Sequence, residues 1–395
     1  MKIVDVCAFY STKGGGVRTY IDHKLAAGPA AGHDITVIAP GSTSRVEHRG
    51  PGARIVWIES PRFPLDRNYH YFADEAVLHH ALDVERPDMI EASSPWRSAS
   101  MVGRWPGRAP RALIMHADPL AAYAYRWFEN VASRQTVDRR FDWYWRHLLR
   151  LDESFDMVVS ASRSLSERLG AGGLRGVVTN PMGVDPHVFS PTLRDEALRT
   201  HLLRQCGLGP EATLLLGVGR HAPEKRWPMV IEAVTTAAQK RPIGLLLVGD
   251  GRDRAKIRRQ IRQHPQIRLM TPISERSEMA RLMASADALL HGCEAETFCM
   301  VAAEARASGL TLITPDRGGA SDHAQSARGY RYISGNAASA ALAIGRFADS
   351  SASGSSASGA RDAMAAMPAL RTMDCHFADL FAGYQELVSP LRKAA

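Results

Sequence analysis

Short apolar runs alternate with stretches of helical spacing along most of the chain, and the alternation occurs in two blocks. Alternation of this kind predicts parallel β-sheets with helices on both faces. In the first block we predict strands at residues 3–9, 35–39, 54–58, 89–92, 112–116, 157–160 and 176–179. In the second block we predict strands at residues 213–218, 244–248, 267–270, 288–291 and 310–314. The sequence therefore predicts an α/β protein with two Rossmann-like domains, whose ligands bind at the carboxyl ends of the strands.

Residues 180–191 are rich in proline and other turn formers, which is typical of a boundary between domains. We therefore place the first domain at residues 1–185 and the second at residues 186–372. The run of serine, glycine and alanine at residues 350–359 predicts a flexible surface loop. Apolar residues recur at helical spacing over residues 373–391, which predicts a terminal helix. One possible position for this helix is against the first domain.

The composition is that of a globular protein, with 45% hydrophobic and 23% charged residues. No run of apolar residues is long enough to cross a membrane, and the strand-like start at Lys2 indicates no signal peptide. The five cysteines are scattered and lack metal-ligand spacing. We therefore expect a cytoplasmic protein with reduced thiols. The alternative is a peripheral protein on the cytoplasmic face of a membrane.

The net charge of +8 comes from arginine, since only seven of the 49 basic residues are lysine. A positive surface favours phosphorylated ligands, anionic membranes or nucleic acid. A nucleic-acid-binding protein would also carry a recognisable binding module, and we identify none in the sequence. We therefore expect no nucleic-acid partner.

Two carboxylates, Glu296 and Glu304, bracket a predicted strand-to-helix turn. We predict a helix over residues 297–308, with Glu296 in the turn before it and Glu304 about two turns inside it. At ~1.5 Å per residue, the two carboxylates would stand roughly 10–12 Å apart. This is about the reach from a sugar ring across a diphosphate to a ribose, whose hydroxyls a carboxylate can bind. Alternatively, Glu296 is an acid in the first helical turn that the helix dipole favours, and Glu304 is a solvated surface residue.

The same turn offers backbone donors to an anion. The N–H groups of Phe298, Cys299 and Met300 would open the predicted helix and point at a bound phosphate.

A pair of cations follows the first strand of the second block. Arg220 comes directly after Gly219, and Lys225 lies in the loop before a predicted helix over residues 227–238. Fixed cations beside a pyrophosphate stabilise the charge that builds on it when a glycosyl bond breaks. The alternative is a pair of solvated loop cations. The tight turn VGDG at residues 248–251 brings backbone close to another group, and by itself it is a weak signal.

A glycine-rich loop joins the first strand to the first helix, at residues 14–16. Glycines let a backbone approach a ligand closely, although many such loops are only tight connections. The dinucleotide fingerprint GxGxxG is absent from this loop, which argues against a dehydrogenase.

With these motifs together, the chain resembles the retaining glycosyltransferases of family four, which have the GT-B fold of two Rossmann-like domains facing an inter-domain cleft. The resemblance covers nearly the whole length. Its ordered matches are Gly15-Gly16-Val17, the NPMGVD turn at residues 180–185, the GR and EK pairs at residues 219–220 and 224–225, VGDG at residues 248–251, Glu296 with Glu304, and Gly318-Gly319. The NPMGVD turn has two residues more than the family's NGVD.

The resemblance implies a role for each matched residue. Arg220 and Lys225 would bind the donor diphosphate, Glu296 the hydroxyls of the transferred sugar, and Glu304 the ribose. The resemblance also implies that Gly15 and Gly16 close over the donor.

His116 ends a first-block strand where the family places a catalytic-site histidine near the sugar. The alternative for His116 is a loop histidine without a role in catalysis. Base recognition in this fold relies on backbone atoms, and we place it around Thr271. Two residues depart from the family pattern. Cys299 stands where glycine is usual and narrows the space beside the sugar, and Arg18 stands where many relatives carry an acid.

The activity that the resemblance implies is transfer of a hexose from a UDP-sugar or GDP-mannose to a hydroxyl, with retained configuration. We expect no cofactor and no metal, because no cluster of ligating residues has metal spacing. No paired acid and base for a double displacement is evident. The resemblance implies that the diphosphate leaves on the face that the acceptor attacks. A nucleotide-sugar epimerase or hydrolase on the same fold is the competing class.

Aromatic and basic residues cluster in one stretch of the first block. They are Tyr123, Tyr125, Trp127, Phe128, Arg139, Arg140, Phe141, Trp143, Trp145, Arg146 and His147. Such a stretch suits an anionic membrane surface and a lipid-linked acceptor. A core helix with a solvated basic face, in an enzyme with a soluble acceptor, is the alternative.

Overall fold

The computed structural model describes residues 1–10, 16–64, 69–128, 131–327, 329–352 and 371–394. These residues form two compact units. The first unit comprises Met1–Asp118, Phe128–Pro181 and Met373–Ala395. The second unit comprises Pro119–Trp127 and Met182–Thr372. The main division therefore falls after Pro181, inside the proline-rich segment and a few residues before the expected boundary.

The first unit contains an eight-stranded sheet in the order β3-β4-β2-β1-β5-β6-β7-β8. Its strands are β1 Lys2–Val6, β2 Asp34–Gly41, β3 Arg45–Gly50, β4 Ala53–Glu59, β5 Met89–Ala92, β6 Arg111–Met115, β7 Met157–Ser160 and β8 Val177–Thr179. All neighbouring strands pair in parallel except β3, which pairs with β4 in the antiparallel direction.

The second unit contains a six-stranded parallel sheet in the order β11-β10-β9-β12-β13-β14. Its strands are β9 Thr213–Val218, β10 Ile243–Val248, β11 Ile267–Met270, β12 Ala288–Leu290, β13 Thr311–Pro315 and β14 Tyr330–Tyr332. Strands β9 and β10 at its centre are almost wholly apolar and buried, as expected of a parallel sheet covered on both faces.

Helices cover both sheets. They are α1 Gly16–Ala30, α2 Glu75–Glu85, α3 Arg97–Arg104, α4 Tyr125–Phe128, α5 Arg134–Arg140, α6 Asp142–Asp152, α7 Arg163–Ala171, α8 Glu196–Gln205, α9 Trp227–Ala238, α10 Arg254–Gln260, α11 Arg276–Ser285, α12 Met300–Ala307, α13 Gly319–Ser326, α14 Ala337–Ala352 and α15 Met373–Ala394. Single helical turns occur at Leu120–Ala124, Pro191–Leu193, Pro223–Lys225 and Ile261–Gln263. Within the described ranges, no helix combines the length and the apolar character needed to span a bilayer.

The α/β prediction is confirmed, since each predicted strand is present with ends shifted by a few residues. The first strand, for example, ends at Val6 and not at Phe9. Two strands were not predicted. β3 is an edge strand with mostly exposed polar side chains, so no apolar run marks it, and β14 is only three residues long. The Ser-rich loop lies largely outside the described residues.

The terminal helix α15 belongs to the first unit and packs on α1. Its buried side chains include Phe377, Phe381 and Tyr384. The ring of Phe377 lies 5.3 Å from that of Tyr20 in α1, centroid to centroid. The helical spacing of the sequence therefore describes a real apolar face, and that face is buried in the core of the first unit.

A buried ion cluster lies beneath α15. The ammonium of Lys24 in α1 donates to Asp5 of β1 at 2.6 Å and also to Glu91 of β5, and none of the three side chains is exposed. Ser93 adds a hydrogen bond to Asp5 at 2.8 Å. An ammonium removed from such a cluster leaves two carboxylates in a site without water.

We therefore expect Lys24→Met to destabilise the protein by about 3–5 kcal/mol, because it leaves buried charge uncompensated. Denaturant unfolding followed by circular dichroism measures the change. Lys2→Met is the matched control, because Lys2 pairs with Glu85 at 2.8 Å while partly exposed. Its loss costs about 1 kcal/mol or less. Equal midpoints for the two variants would show that the buried cluster does not stabilise the first unit.

Candidate functional site

Two residues with positive φ shape the loop after β9. Gly219 has φ of 153°, and Arg226 has φ of 51° just before α9 begins at Trp227. The indole N–H of Trp227 donates to the carbonyl oxygen of Arg220 at 2.9 Å, and Trp227 is itself buried in the core. The loop is therefore tied to the core at both ends. The predicted helix over residues 227–238 is confirmed with the same bounds.

This loop presents Lys225 to Glu296. The ammonium donates to Oε1 of Glu296, and both side chains are largely enclosed, with exposures of 14% and 25%. Burial opposes the charge on Lys225, yet the carboxylate outweighs it and the pKa of Lys225 is raised. Burial likewise opposes the charge on Glu296, yet the ammonium outweighs it and the pKa of Glu296 is lowered. Both groups are therefore charged at neutral pH.

A second ion pair fixes the turn that carries Glu296. Arg226 donates through Nε and Nη2 to Glu294 at 2.8 and 2.6 Å, and both side chains are nearly buried. Two donors from one planar guanidinium define the orientation of the carboxylate as well as its position. The Arg226–Glu294 pair was not predicted, because the two residues lie far apart in the sequence.

The glycine pair at residues 318–319 packs against the same turn. The N–H of Gly319 donates to the carbonyl oxygen of Glu296 at 2.7 Å. A Cβ at Gly318 would lie 2.3 Å from the carbonyl oxygen of Glu294, and Gly318 has φ of 79°. The pair therefore allows backbone contact that any side chain would prevent.

His291 and Cys299 flank Glu296 and were not predicted as neighbours. Nε2 of His291 lies 3.7 Å from Oε1 of Glu296 and 3.6 Å from Sγ of Cys299. The three ligand atoms all lie within 4.8 Å of one another. Burial, together with the nearby charge of Lys225, lowers the pKa of His291 to about 4, so its imidazole is neutral. The sequence offers no signal for this cluster, because the three residues lie in a turn without periodicity.

The predicted start of the helix at residue 297 is wrong. Helix α12 begins at Met300, because Cys299 adopts the left-handed conformation with φ of 71° and ends the preceding loop. Met300 is therefore in the first turn, whereas the N–H groups of Phe298 and Cys299 precede the helix. Glu304 consequently lies about one turn into α12 and not two. At ~1.5 Å per residue, Glu304 lies ~6 Å along the helix axis from Met300, where the helix begins.

Glu304 is enclosed beside α11. Its side chain is 17% exposed, and Oε1 lies 3.9 Å from Nη2 of Arg276. Burial raises the pKa of Glu304 to about 7, and the charge of Arg276 offsets only part of this effect. A carboxylate with this pKa gains or loses its proton within the physiological range.

Arg220 lies at the rim of the loop. Its side chain is 80% exposed and pairs with Glu224 at 3.0 Å. The structure therefore brings Lys225 and Glu296 into contact and leaves Arg220 extended towards solvent. An exposed guanidinium is free to reorient towards an anion at little cost.

The VGDG turn packs on the loop after β9. A Cβ at Gly249 would lie 2.0 Å from the carbonyl oxygen of Gly219, and one at Gly251 would lie 2.6 Å from that of His221. These glycines therefore permit close backbone packing inside the second unit. Thr271, expected near a nucleotide base, follows β11 and is exposed.

The first unit holds His116, Gly16 and Arg18. His116 directly follows β6, and its ring lies 4.7 Å from that of Tyr20. Burial, aided by the charge of Lys24, lowers the pKa of His116 to about 4. Gly16 begins α1, whereas Gly15 lies outside the described residues. Arg18 pairs with Asp22 at 3.3 Å.

The aromatic and basic stretch divides into buried and exposed members. Tyr125 and Tyr144 are buried, and the ring of Trp145 lies under the guanidinium of Arg168 at 5.3 Å. By contrast, Trp127 and Trp143 are 63% and 52% exposed. The stretch therefore contributes side chains both to the core and to the surface.

Sequence comparison identifies the family. The profile of the glycosyl transferase 4-like domain matches residues 15–183, and that of the glycosyl transferases group 1 matches residues 201–358. A GDP-mannose-dependent alpha-mannosyltransferase of Mycobacterium tuberculosis is 32% identical over 298 residues, which are 74% of this chain and 72% of the relative.

A second relative from the same organism is a GDP-mannose-dependent alpha-(1-6)-phosphatidylinositol dimannoside mannosyltransferase. It is 29% identical over 338 residues, or 82% of this chain and 84% of the relative. Among solved structures, sucrose-phosphate synthase from Thermosynechococcus elongatus matches with a TM-score of 0.74 at 18% identity, covering 98% of this chain and 99% of that one. The chain belongs to family four of the glycosyltransferases, the glycosyl transferases group 1, and has their GT-B fold.

Proposed function

We propose that this enzyme transfers mannose from GDP-mannose to a hydroxyl of a lipid-linked acceptor, with retention of the anomeric configuration. The observation that carries the proposal is the enclosed ion pair of Lys225 and Glu296, because it sets a cation and a hydrogen-bond acceptor side by side. The two relatives described above support the donor, since both are named GDP-mannose-dependent. A nucleotide-sugar donor needs both groups, the cation for its diphosphate and the acceptor for the hydroxyls of its sugar.

Lys225 is proposed to hold the donor diphosphate, with Arg220 reaching the same phosphates from its exposed position. An ammonium fixed before the donor arrives stabilises charge on the leaving diphosphate without reorganisation. The N–H of Met300, in the first turn of α12, is proposed to add a donor for the phosphates. The loop at Phe298 and Cys299 would then border the sugar.

Glu296 is proposed to accept hydrogen bonds from the sugar hydroxyls and Glu304 from the ribose hydroxyls. Thr271 is proposed to lie near the base, and His116 to contact the transferred sugar. His116 suits such contact because its low pKa keeps the imidazole neutral, so it accepts or donates a hydrogen bond without added charge.

In the proposed reaction the bond between the anomeric carbon and the diphosphate oxygen breaks, and the acceptor oxygen forms its bond on the same face. The acceptor proton passes to the departing phosphate oxygen. No resident metal takes part in this scheme, since Lys225 supplies the positive charge. Proton NMR of the product tests the stereochemistry, with an α-linkage expected from the α-linked donor.

The acceptor is proposed to lie at an anionic membrane surface. In the first unit, the rings of Phe128, Phe141 and Trp143 form a row with centroid separations of 6.3 and 6.4 Å. Arg139 and Arg140 are exposed on the adjacent helix α5. Exposed aromatic rings beside arginines suit the interface of an anionic bilayer.

A thermal-shift comparison of nucleotides tests the donor base. GDP is expected to raise the melting temperature more than UDP or ADP at equal concentration, because a ligand that binds the folded state more tightly stabilises it more. A larger shift with UDP or ADP than with GDP would contradict the choice of GDP-mannose.

Lys225→Ala is expected to lower kcat by about 10²–10³-fold in a donor-saturated transfer assay, because it removes charge stabilisation of the leaving group. Donor affinity is expected to fall less. Lys240→Ala is the matched control, because Lys240 is an exposed lysine of the same unit. Melting temperatures of both variants exclude a folding defect, and an unchanged kcat in Lys225→Ala would contradict the proposed role.

Affinity for GDP-mannose is expected to fall by about tenfold between pH 8 and pH 6, measured calorimetrically without acceptor. The cause is Glu304, whose raised pKa of about 7 means that acidification protonates the carboxylate that accepts the ribose hydroxyls. The nucleotide sugar is used because its diphosphate has no free terminal group that titrates in this range. Glu304→Gln should bind more weakly at pH 8 and lose the pH dependence. The same slope in the variant would contradict this assignment.

Vesicle flotation tests the membrane surface. The protein is expected to float with phosphatidylglycerol vesicles and not with phosphatidylcholine vesicles, and Trp143→Ser should reduce flotation severalfold. Leu342→Ser is the matched control, because Leu342 is 70% exposed in the second unit. Absence of the parent protein from both floated fractions would favour a soluble acceptor.

A further inference from the structure

Three potential metal ligands converge beside the Lys225–Glu296 pair. They are the imidazole of His291, the carboxylate of Glu296 and the thiol of Cys299, and the described residues contain no other such group. His291 and Cys299 are buried, whereas Glu296 is partly exposed and offers a route from solvent. The three side chains supply one nitrogen, one oxygen and one sulfur, which is a ligand set that suits zinc.

The separations of the three atoms are close to those of a tetrahedral site. Bonds of about 2.0–2.3 Å from zinc to nitrogen, oxygen and sulfur place tetrahedral ligand atoms about 3.4–3.6 Å apart. Nε2 of His291 lies 3.6 Å from Sγ of Cys299 and 3.7 Å from Oε1 of Glu296. The third edge, from oxygen to sulfur, is no longer than 4.8 Å. A cation therefore needs only a small adjustment of the Glu296 side chain.

The backbone holds two of the three ligands in place. Tyr332 donates its hydroxyl to the carbonyl oxygen of His291 at 2.6 Å. Cys299 is fixed in the left-handed conformation at the N-terminus of α12, with φ of 71°. Ligands that are already positioned lose little conformational entropy on binding.

We propose that His291, Glu296 and Cys299 form an inhibitory site for a thiophilic divalent cation, represented by Zn²⁺. Zinc bonds to the imidazole nitrogen, the carboxylate oxygen and the sulfur, and the thiol proton leaves to solvent. Water fills the fourth position. The cation competes with Lys225 for Glu296, and it has two additional ligands that an ammonium cannot use.

The inhibitory effect rests on the proposed function, whereas binding of the metal does not. Zinc bound to Glu296 removes the acceptor of the sugar hydroxyls and sets a second positive charge beside Lys225. The ammonium must then move away from the position in which it would hold the diphosphate. Zinc therefore acts against the donor in this site, unlike a resident metal that assists a reaction.

Cobalt provides a direct test of binding, because tetrahedral Co²⁺ bound to thiolate absorbs strongly in the visible and near-ultraviolet. Titration of full-length protein, reduced with a phosphine and freed of metal, should give these bands at one equivalent, and Zn²⁺ should abolish them. Cys299→Ser should lose the charge-transfer band and lower the affinity for Zn²⁺ by about tenfold or more. The variant Cys206→Ser is the matched control, because Cys206 is a buried thiol of the same unit.

Cys299→Gly provides a second variant without the thiol. Glycine adopts the left-handed conformation without strain, which offsets the loss of the buried side chain, and the melting temperature shows that the variant is folded. Its cobalt spectrum should also lack the thiolate band. A band that persists in Cys299→Ser or Cys299→Gly, or that disappears in Cys206→Ser, would overturn the site.

An activity measurement separates the two proposals. Micromolar Zn²⁺ should inhibit transfer by the parent, a chelator should restore it, and Cys299→Gly should need at least tenfold more Zn²⁺ for the same inhibition. Thiolate–cobalt bands without any transfer from GDP-mannose would refute the proposed function and keep the metal site. Transfer that Zn²⁺ leaves unchanged would refute the inhibitory site and keep the proposed function.

Discussion

The ion pair of Lys225 and Glu296 is the interaction on which the account of this enzyme depends. Each group is largely enclosed, and each keeps its charge because the other is present. A buried pair of this kind contributes little to stability, because the cost of removing two charges from water offsets their attraction. Its role is functional, because it holds a cation and a hydrogen-bond acceptor in fixed positions before the donor binds.

The fold of the second unit serves to hold that pair. One partner comes from the loop after β9, which Trp227 anchors to the core. The other comes from the turn before α12, which Arg226 and the glycine pair at residues 318–319 hold by side-chain and backbone contacts. Lys225 and Glu296 are 71 positions apart in the sequence, and parallel strands of one sheet bring them together. The same arrangement places His291 and Cys299 beside Glu296. A thiophilic cation that binds these three residues would compete with Lys225 for Glu296.

Sequence reasoning could predict elements whose signal is local. The continuous apolar runs of β9 and β10 are typical of buried parallel strands, and the apolar residues of α15 recur at helical spacing. The edge strand β3 has no such signal, because its exposed residues are held by pairing with β4 and not by burial. The predicted start of α12 is three residues early, because a positive φ at a non-glycine residue such as Cys299 has no signal in the local sequence. The cluster of His291, Glu296 and Cys299 likewise depends on the path of a loop.

The most direct test of the central claim is a calorimetric comparison of GDP with GDP-mannose on the full-length parent, Lys225→Met and Glu296→Gln. If the ammonium holds the diphosphate and the carboxylate holds the sugar, Lys225→Met weakens both ligands, whereas Glu296→Gln weakens GDP-mannose and leaves GDP nearly unchanged. Equal affinity of the parent and both variants for both ligands would contradict the account, because the enclosed pair would then have no part in binding the donor.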